Sequence, residues 1–249
     1  MAQKLSSLAD RPVLVAPAPF GGGLRAPVVA AAIGRALEAA GFPPPDLCPV
    51  TGGGTGTIEV LLPALGGETG DGYALVEDGG TALVEPGESP DETAVRLAAA
   101  TDAGPTVIVL AAADAGPGHA EAALASFAGG PRVVVLTGPG DSAPDLPVGA
   151  VAESGTRFVL EALDVDRRLR AARAVIVGTG RLDDRALRGA VEGEIAVRAR
   201  QAGVPCHMVA GEVALDLFST RILDLQRIVE AGDVAAIEAG TGTALADVL

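Results

Sequence analysis

The stretch Ala174–Arg185, A-V-I-V-G-T-G-R-L-D-D-R, decides how the rest of the chain is read. Ala174 to Val177 are small or β-branched, the composition of a short strand buried in a parallel sheet. Gly178, Thr179 and Gly180 then predict a tight turn whose backbone N–H groups can point at a ligand. Open α/β sheets bind ligands outside the carboxyl ends of their strands. Arg181 and Asp183, just past that end, are therefore the candidates for meeting a small charged molecule. The same spacing also fits an ordinary glycine-rich connection with a surface Arg and a helix-capping Asp.

Working outward, Arg11–Ala16 reads as a first strand, Pro17–Gly23 as its loop, and Pro27–Ala40 as a helix with Pro at its start and Gly41 at its stop. Asp46–Val50 is a second strand, and Thr51–Thr57, T-G-G-G-T-G-T, leads into the helical run Ile58–Leu65. A glycine loop that opens onto the unpaired N–H groups of a helix's first turn suits an anion, although glycine serves any tight strand-to-helix turn as well. Tyr73–Val76 and Thr81–Glu85 flank Asp78-Gly79 as a β-hairpin. Helices at Asp91–Asp102 and His119–Phe127 alternate with strands at Thr106–Leu110 and Arg132–Leu136, and turn-rich Gly138–Pro147 reads as a linker between lobes. Thr156–Arg173 and Leu187–Ala202 read as helices, Val204–Ala210 and Ile222–Val229 as strands, and Gly242–Leu249 as a terminal helix. Strands alternating with helices predict an α/β fold, a mostly parallel Rossmann-like sheet with helices on both faces.

Hydrophobic residues make up 49% of the chain but aromatics only 2%, so the core has to be built from Ala, Val, Leu and Ile. The net charge of −14 repels phosphate backbones and anionic lipid, which argues against nucleic acid and membrane surfaces as partners. No apolar run is long enough to span a bilayer and the amino terminus lacks a secretory pattern, so the expectation is a cytoplasmic protein. Cys48 and Cys206 show no metal-ligand spacing and read as buried thiols; His119 and His207 lie far apart in sequence and read as packed or surface residues. Lys4 is the sole lysine, which excludes a P-loop or a protein-kinase site and leaves Arg and backbone N–H groups to hold any phosphate.

Taken in order, several motifs resemble the glycerate kinase family, which phosphorylates glycerate with ATP. They are V-A-P-x-x-F at Val15–Phe20, P-V-x-x-G-G-x-G-T near Pro49–Thr57, R-F-V-L-E-A-L-D-V-D-R-R-L at Arg157–Leu169, G-x-G-R-L-D at Gly178–Asp183, and A-G-V-P at Ala202–Pro205. The resemblance implies two α/β lobes with the site in the cleft between them: a main domain from residues 1–70 and 148–249, and a smaller inserted lobe over 71–147. It implies ATP and Mg²⁺ as cofactors, a small organic acid and a nucleotide as partners, and compatibility with a homo-oligomer. Asp183 would hold Mg²⁺, its other metal ligands unassigned, or position the acceptor hydroxyl. Arg181 would pair with a carboxylate or phosphate. Gly53, Gly54, Gly56 and Thr57, with Gly178, Thr179 and Gly180, would line the substrate or nucleotide.

The departures from the family pattern fall on charged positions. Ala18 and Gly21 stand where A-P-D-S-F-K-G-S has Asp and Lys, and Gly52 and Thr55 where A-D-G-G-E-G-T has Asp and Glu. Thr179 replaces the Glu of G-E-G-R-L-D, Ala190 stands where a Lys follows, and Ala112–Ala120 replaces the loop G-G-S-A-T-N-D-G-G. Phosphoryl transfer rests on positioning and charge neutralisation, so the sequence supports two main readings: a glycerate kinase, or a catalytically degenerate homologue that binds a ligand or regulates a partner. A third is an α/β enzyme acting on another small organic acid. Whether neighbouring Asp114, Asp184 or Glu212 replaces the lost carboxylates in space is a question for the tertiary structure.

Overall fold

The computed structural model describes residues 11–125, 127, 130–141 and 144–245. Lys4 and the last four residues of the expected terminal helix lie outside them. The described strands are β1 (Val13–Pro17), β2 (Asp46–Leu47), β3 (Glu68–Thr69), β4 (Tyr73–Val76), β5 (Thr81–Val84), β6 (Val107–Leu110), β7 (Arg132–Thr137), β8 (Ala150–Ser154), β9 (Ala174–Leu182), β10 (Cys206–Val213) and β11 (Leu225–Glu230). The α-helices are α1 (Ala26–Ala39), α2 (Thr57–Leu65), α3 (Pro90–Asp102), α4 (His119–Leu124), α5 (Gly155–Ala162), α6 (Val165–Ala171), α7 (Val191–Ala202), α8 (Leu217–Ile222) and α9 (Val234–Gly240). They form two compact units, Met1–Val50 with Asp164–Leu249, and Thr51–Leu163. The chain passes between units at 50/51 and 163/164, where the sequence placed its divisions near 70 and 147.

The first unit is a parallel five-stranded sheet of order β2-β1-β9-β10-β11. The order reverses between β1 and β9, which makes the carboxyl ends of these two strands the switch point of a doubly wound sheet. Alternation along the strands gives the sheet two apolar faces. Val13, Val15, Ile176, Val209 and Val229 form one core with Val29, Ile33 and Leu37 of α1 and Ile237 of α9. Leu14, Val175, Val177 and Met208, also buried, face the opposite way. Arg35 of α1 donates to Glu238 of α9 at 2.6 Å, and Arg168 of α6 to Asp46 of β2 at 2.6 Å.

The second unit carries a mixed sheet of order β3-β4-β5-β6-β7-β8. The β4–β5 hairpin is antiparallel as the Asp-Gly reading predicts, and β5 to β8 run parallel. Asp78 and Gly79 both turn in the left-handed region, at φ 55° and 84°. One face packs Val84, Ile108, Leu110 and Val135 against Leu97 of α3 and Leu124 of α4.

Several sequence expectations are corrected. Gly178-Thr179-Gly180 is no turn: β9 runs unbroken to Leu182, paired with β10 from Val175↔Cys206 to Leu182↔Val213. Thr156–Arg173 is two helices, broken where Asp164 takes φ 53°, a conformation that a short polar side chain tolerates. Gly138–Pro147 lies inside the second unit, before an unforeseen strand β8. An unforeseen α-helix, Val234–Gly240, capped by Asp233 accepting the Ala236 N–H, precedes the expected terminal helix, whose described part continues as the π-helical segment Thr241–Leu245.

Candidate functional site

The structure draws the motifs together in two pairs, one in each unit. In the first unit the loop after β1 lies across the carboxyl end of β9. Ala18 N–H donates to the Gly178 carbonyl at 2.8 Å, and Phe20 N–H to that of Leu24 at 2.9 Å. A Cβ on Gly178 would lie 3.0 Å from the Phe20 ring, and one on Gly180 only 2.3 Å from the Phe20 carbonyl oxygen. These glycines have no positive φ. They are glycine because V-A-P-x-x-F packs onto G-x-G where the sheet order reverses. Thr179 is buried, and its hydroxyl donates to the Arg181 carbonyl at 3.3 Å.

Arg181 and Asp183 emerge beyond this contact. Arg181 forms an ion pair with Glu212 of β10 and stands 3.6 Å, Nε to Oδ2, from Asp183. Asp183 caps the short 3₁₀ turn Asp184–Arg188: its Oδ1 accepts the Arg185 N–H at 3.0 Å and the Arg185 Nε–H at 3.2 Å. The helix-capping alternative for Asp183 is thus realised. Burial works to raise its carboxyl, but the Arg185 hydrogen bonds and the charges of Arg185 and Arg181 together hold it below the ordinary carboxylate range. Glu192 in the first turn of α7, which the sequence reading passed over, is buried, and desolvation pushes its carboxyl up.

In the second unit the glycine loop meets the chain after β6. Ala113 N–H donates to the Gly53 carbonyl at 3.3 Å. The Asp114 carboxylate accepts the Thr55 N–H at 3.0 and 3.1 Å, and Glu85 accepts the Ile58 N–H at 2.9 Å. The anion at the start of α2 is supplied by the protein itself. Gly53 has φ 90° and faces Gly155, whose Cα is 2.4 Å from where a Cβ would be; a Cβ on Gly54 would lie 2.3 Å from the Asp114 carboxylate. Gly56 turns into α2 at φ 85°, and the buried Thr57 hydroxyl donates to the Gly54 carbonyl at 2.6 Å. The sequence signal for this arrangement was an acid directly after a strand, as in Val84-Glu85, and in the loop after β6.

The remaining candidates are structural. Burial pushes the Cys48 thiol up to about 11 and the Cys206 thiol to about 12, so both are inert. His119 shares a 2.8 Å hydrogen bond with Thr93, and His207 is buried in β10. Among the described residues no helix is long and apolar enough to cross a membrane.

The glycerate kinase family profile matches residues 142–238, the segment that holds β9, Arg181, Asp183 and Glu212. Over this segment the chain is similar to the glycerate kinase family. Two uncharacterised proteins, from Mycobacterium bovis and Mycobacterium tuberculosis, are each 36% identical over 76 residues, 30% of this chain. The match spans only 20% of the length of these relatives. A solved protein provisionally named glycerate kinase 2, from Salmonella typhimurium LT2, superposes with a TM-score of 0.62 at 18% identity, covering 93% of this chain and 94% of that one. At that identity the likeness establishes the shared fold.

Glycerate kinase chemistry implies Mg²⁺, an ion usually held by one or two carboxylates together with substrate phosphates. Among the described residues no three His, Cys, Asp or Glu side chains gather as ligands for an ion. The two carboxylates beside Arg181 each face a guanidinium already.

Proposed function

We propose that this chain is a hydroxy-acid-binding member of the glycerate kinase family in which phosphoryl transfer is weakened. The observation that carries the reading is Arg181 beside Asp183 at the carboxyl edge of β9. A guanidinium next to a carboxylate oxygen suits a small 2-hydroxy acid such as glycerate, its carboxylate on Arg181 and its hydroxyl donating to Asp183 Oδ2. That oxygen stands 3.6 Å from Arg181 Nε, beyond hydrogen-bond length, and so keeps acceptor capacity. Capping by Arg185 fixes the carboxylate's orientation.

The transfer step is where the chain is poor. Ala18, Gly21, Gly52, Thr55, Thr179 and Ala190 occupy positions where the family carries charge. The Thr55 and Ile58 N–H groups, which would otherwise suit a phosphate, are taken by Asp114 and Glu85. Loss of one charge-stabilising group commonly lowers turnover by about 10²-fold, and here several are replaced together.

The test pairs calorimetric binding of D-glycerate with a coupled ADP-release assay in ATP and Mg²⁺. Binding that Arg181→Met removes, with turnover about 10²-fold or more below that of an active family member, is the expected result. Turnover at the level of an active kinase, abolished by Asp183→Asn in a folded protein, would establish the competing reading of a working glycerate kinase. Binding of other hydroxy acids in preference to glycerate would move the substrate while keeping the site.

A further inference from the structure

We infer that Glu212 is an internal occupant of the Arg181 guanidinium, which an anionic ligand has to displace. Glu212 would thereby set the affinity of the site for carboxylates. The inference rests on the reading that Arg181 receives the ligand's carboxylate.

Neighbouring strands place the two groups together. Arg181 and Glu212 are register partners of β9 and β10, two residues beyond the Thr179↔Ala210 pair. Between these pairs, a Cβ on Gly211 would lie 2.6 Å from the Gly180 carbonyl oxygen, so the backbones are close where the charges leave the sheet. The Glu212 carboxylate then meets Arg181 Nη1 without any loop having to move.

The two carboxylates beside Arg181 are held differently. Asp183 is a helix cap, tied at Oδ1 to both the N–H and the Nε–H of Arg185, and its side chain is only 25% exposed. Glu212 is 56% exposed and Arg181 49%, so their ion pair is formed largely in water. Such exposed pairs are weak and exchange readily. An incoming carboxylate can replace Glu212 on the guanidinium, swinging that side chain into solvent, while Asp183 stays fixed to receive the hydroxyl. Until it leaves, Glu212 opposes the ligand twice, by occupying its donor and by repelling its charge.

Glu212→Gln keeps the size of the side chain and removes both effects. Removing a weak pair and a like charge about 4 Å from the ligand in a solvated site predicts roughly three- to ten-fold tighter D-glycerate binding. Glu230→Gln on β11, exposed and making the same change in net charge, should leave affinity unaltered. Adding Arg181→Met to Glu212→Gln should abolish the gain. Calorimetry on the full chain decides the matter. If the parent binds glycerate and Glu212→Gln binds equally or more weakly, or if Glu230→Gln tightens binding as much, the role of Glu212 is refuted while the binding reading stands. If neither parent nor Glu212→Gln binds glycerate, both fall.

Discussion

A methyl group at Gly180 would enter space already filled by backbone. The Cβ of an alanine there would lie 2.3 Å from the Phe20 carbonyl oxygen, 2.6 Å from its carbon and 2.8 Å from Phe20 Cα. Ordinary carbon contacts begin near ~3.5 Å, so the loop after β1 or the end of β9 has to move by about 1 Å. Overpacking costs about 1–3 kcal/mol, and since the obstacle is main chain and not the end of a flexible side chain, Gly180→Ala belongs near the top of that range. At about 2–4 °C per kcal/mol for a chain of this size, the expected fall in Tm is about 4–12 °C, read by thermal or urea unfolding. Gly232→Ala is the control: no atom lies within 4 Å of its Cβ and its φ is ordinary, so a change within about 0.5 kcal/mol is expected. Gly180→Asn sharpens the test, since a left-handed turn would tolerate Asn whereas a strand pressed against Phe20 rejects it as firmly as Ala. Melting of Gly180→Ala and Gly180→Asn alongside Gly232→Ala would show that V-A-P-x-x-F does not pack on G-x-G, and would remove the basis for placing Arg181 at the switch point.

Two further outcomes concern stability. Asp114→Ala leaves the Thr55 N–H without its carboxylate and should cost about 1 kcal/mol, Asp114→Asn less; because a Cβ on Gly54 collides with that carboxylate, Gly54→Ala should be better tolerated in the Asp114→Ala background, as urea midpoints for the four chains would show. His207 is 2% exposed with no partner on either ring nitrogen, and desolvation, with the charge of Arg227, lowers its pKa from 6.5. The unfolded chain therefore takes up a proton that the folded chain resists, so stability is full above about 6.5 and declines as pH falls below it. His207→Leu should flatten that decline between pH 7.5 and 5.5; equal pH slopes for parent and variant would count against the assignment.

Much of the architecture was legible because it rests on short-range rules. Apolar runs separated by Gly and Pro located β1, β6, β7 and the hairpin, and the run read as Leu187–Ala202 ends at Gly203 as a helix should, although its α-helix starts at Val191, after the 3₁₀ turn Asp184–Arg188. The misreading of Gly178-Thr179-Gly180 has one cause, which is that glycine has more than one use. Gly178 and Gly180 looked like turn residues, yet their value is the absence of a side chain beneath Phe20, more than 150 positions earlier in the chain. Asp164 lies mid-way in what reads as one helix, and its left-handed backbone is invisible to periodicity.

By itself the amino-acid sequence determined the α/β class, the aliphatic core, the single lysine, and the uncharged residues within the motifs that resemble the family's, since these depend on residue type and order alone. Tertiary structure decided what the surviving groups are engaged with. Asp114 and Glu85 sit on the N–H groups of α2, Asp183 caps its own turn, and Glu212 lies on Arg181. A hydrogen bond or ion pair depends on positions in space. Strand register and loop packing bring together groups that are distant in sequence, and with them the supply of charge and donors left for a ligand.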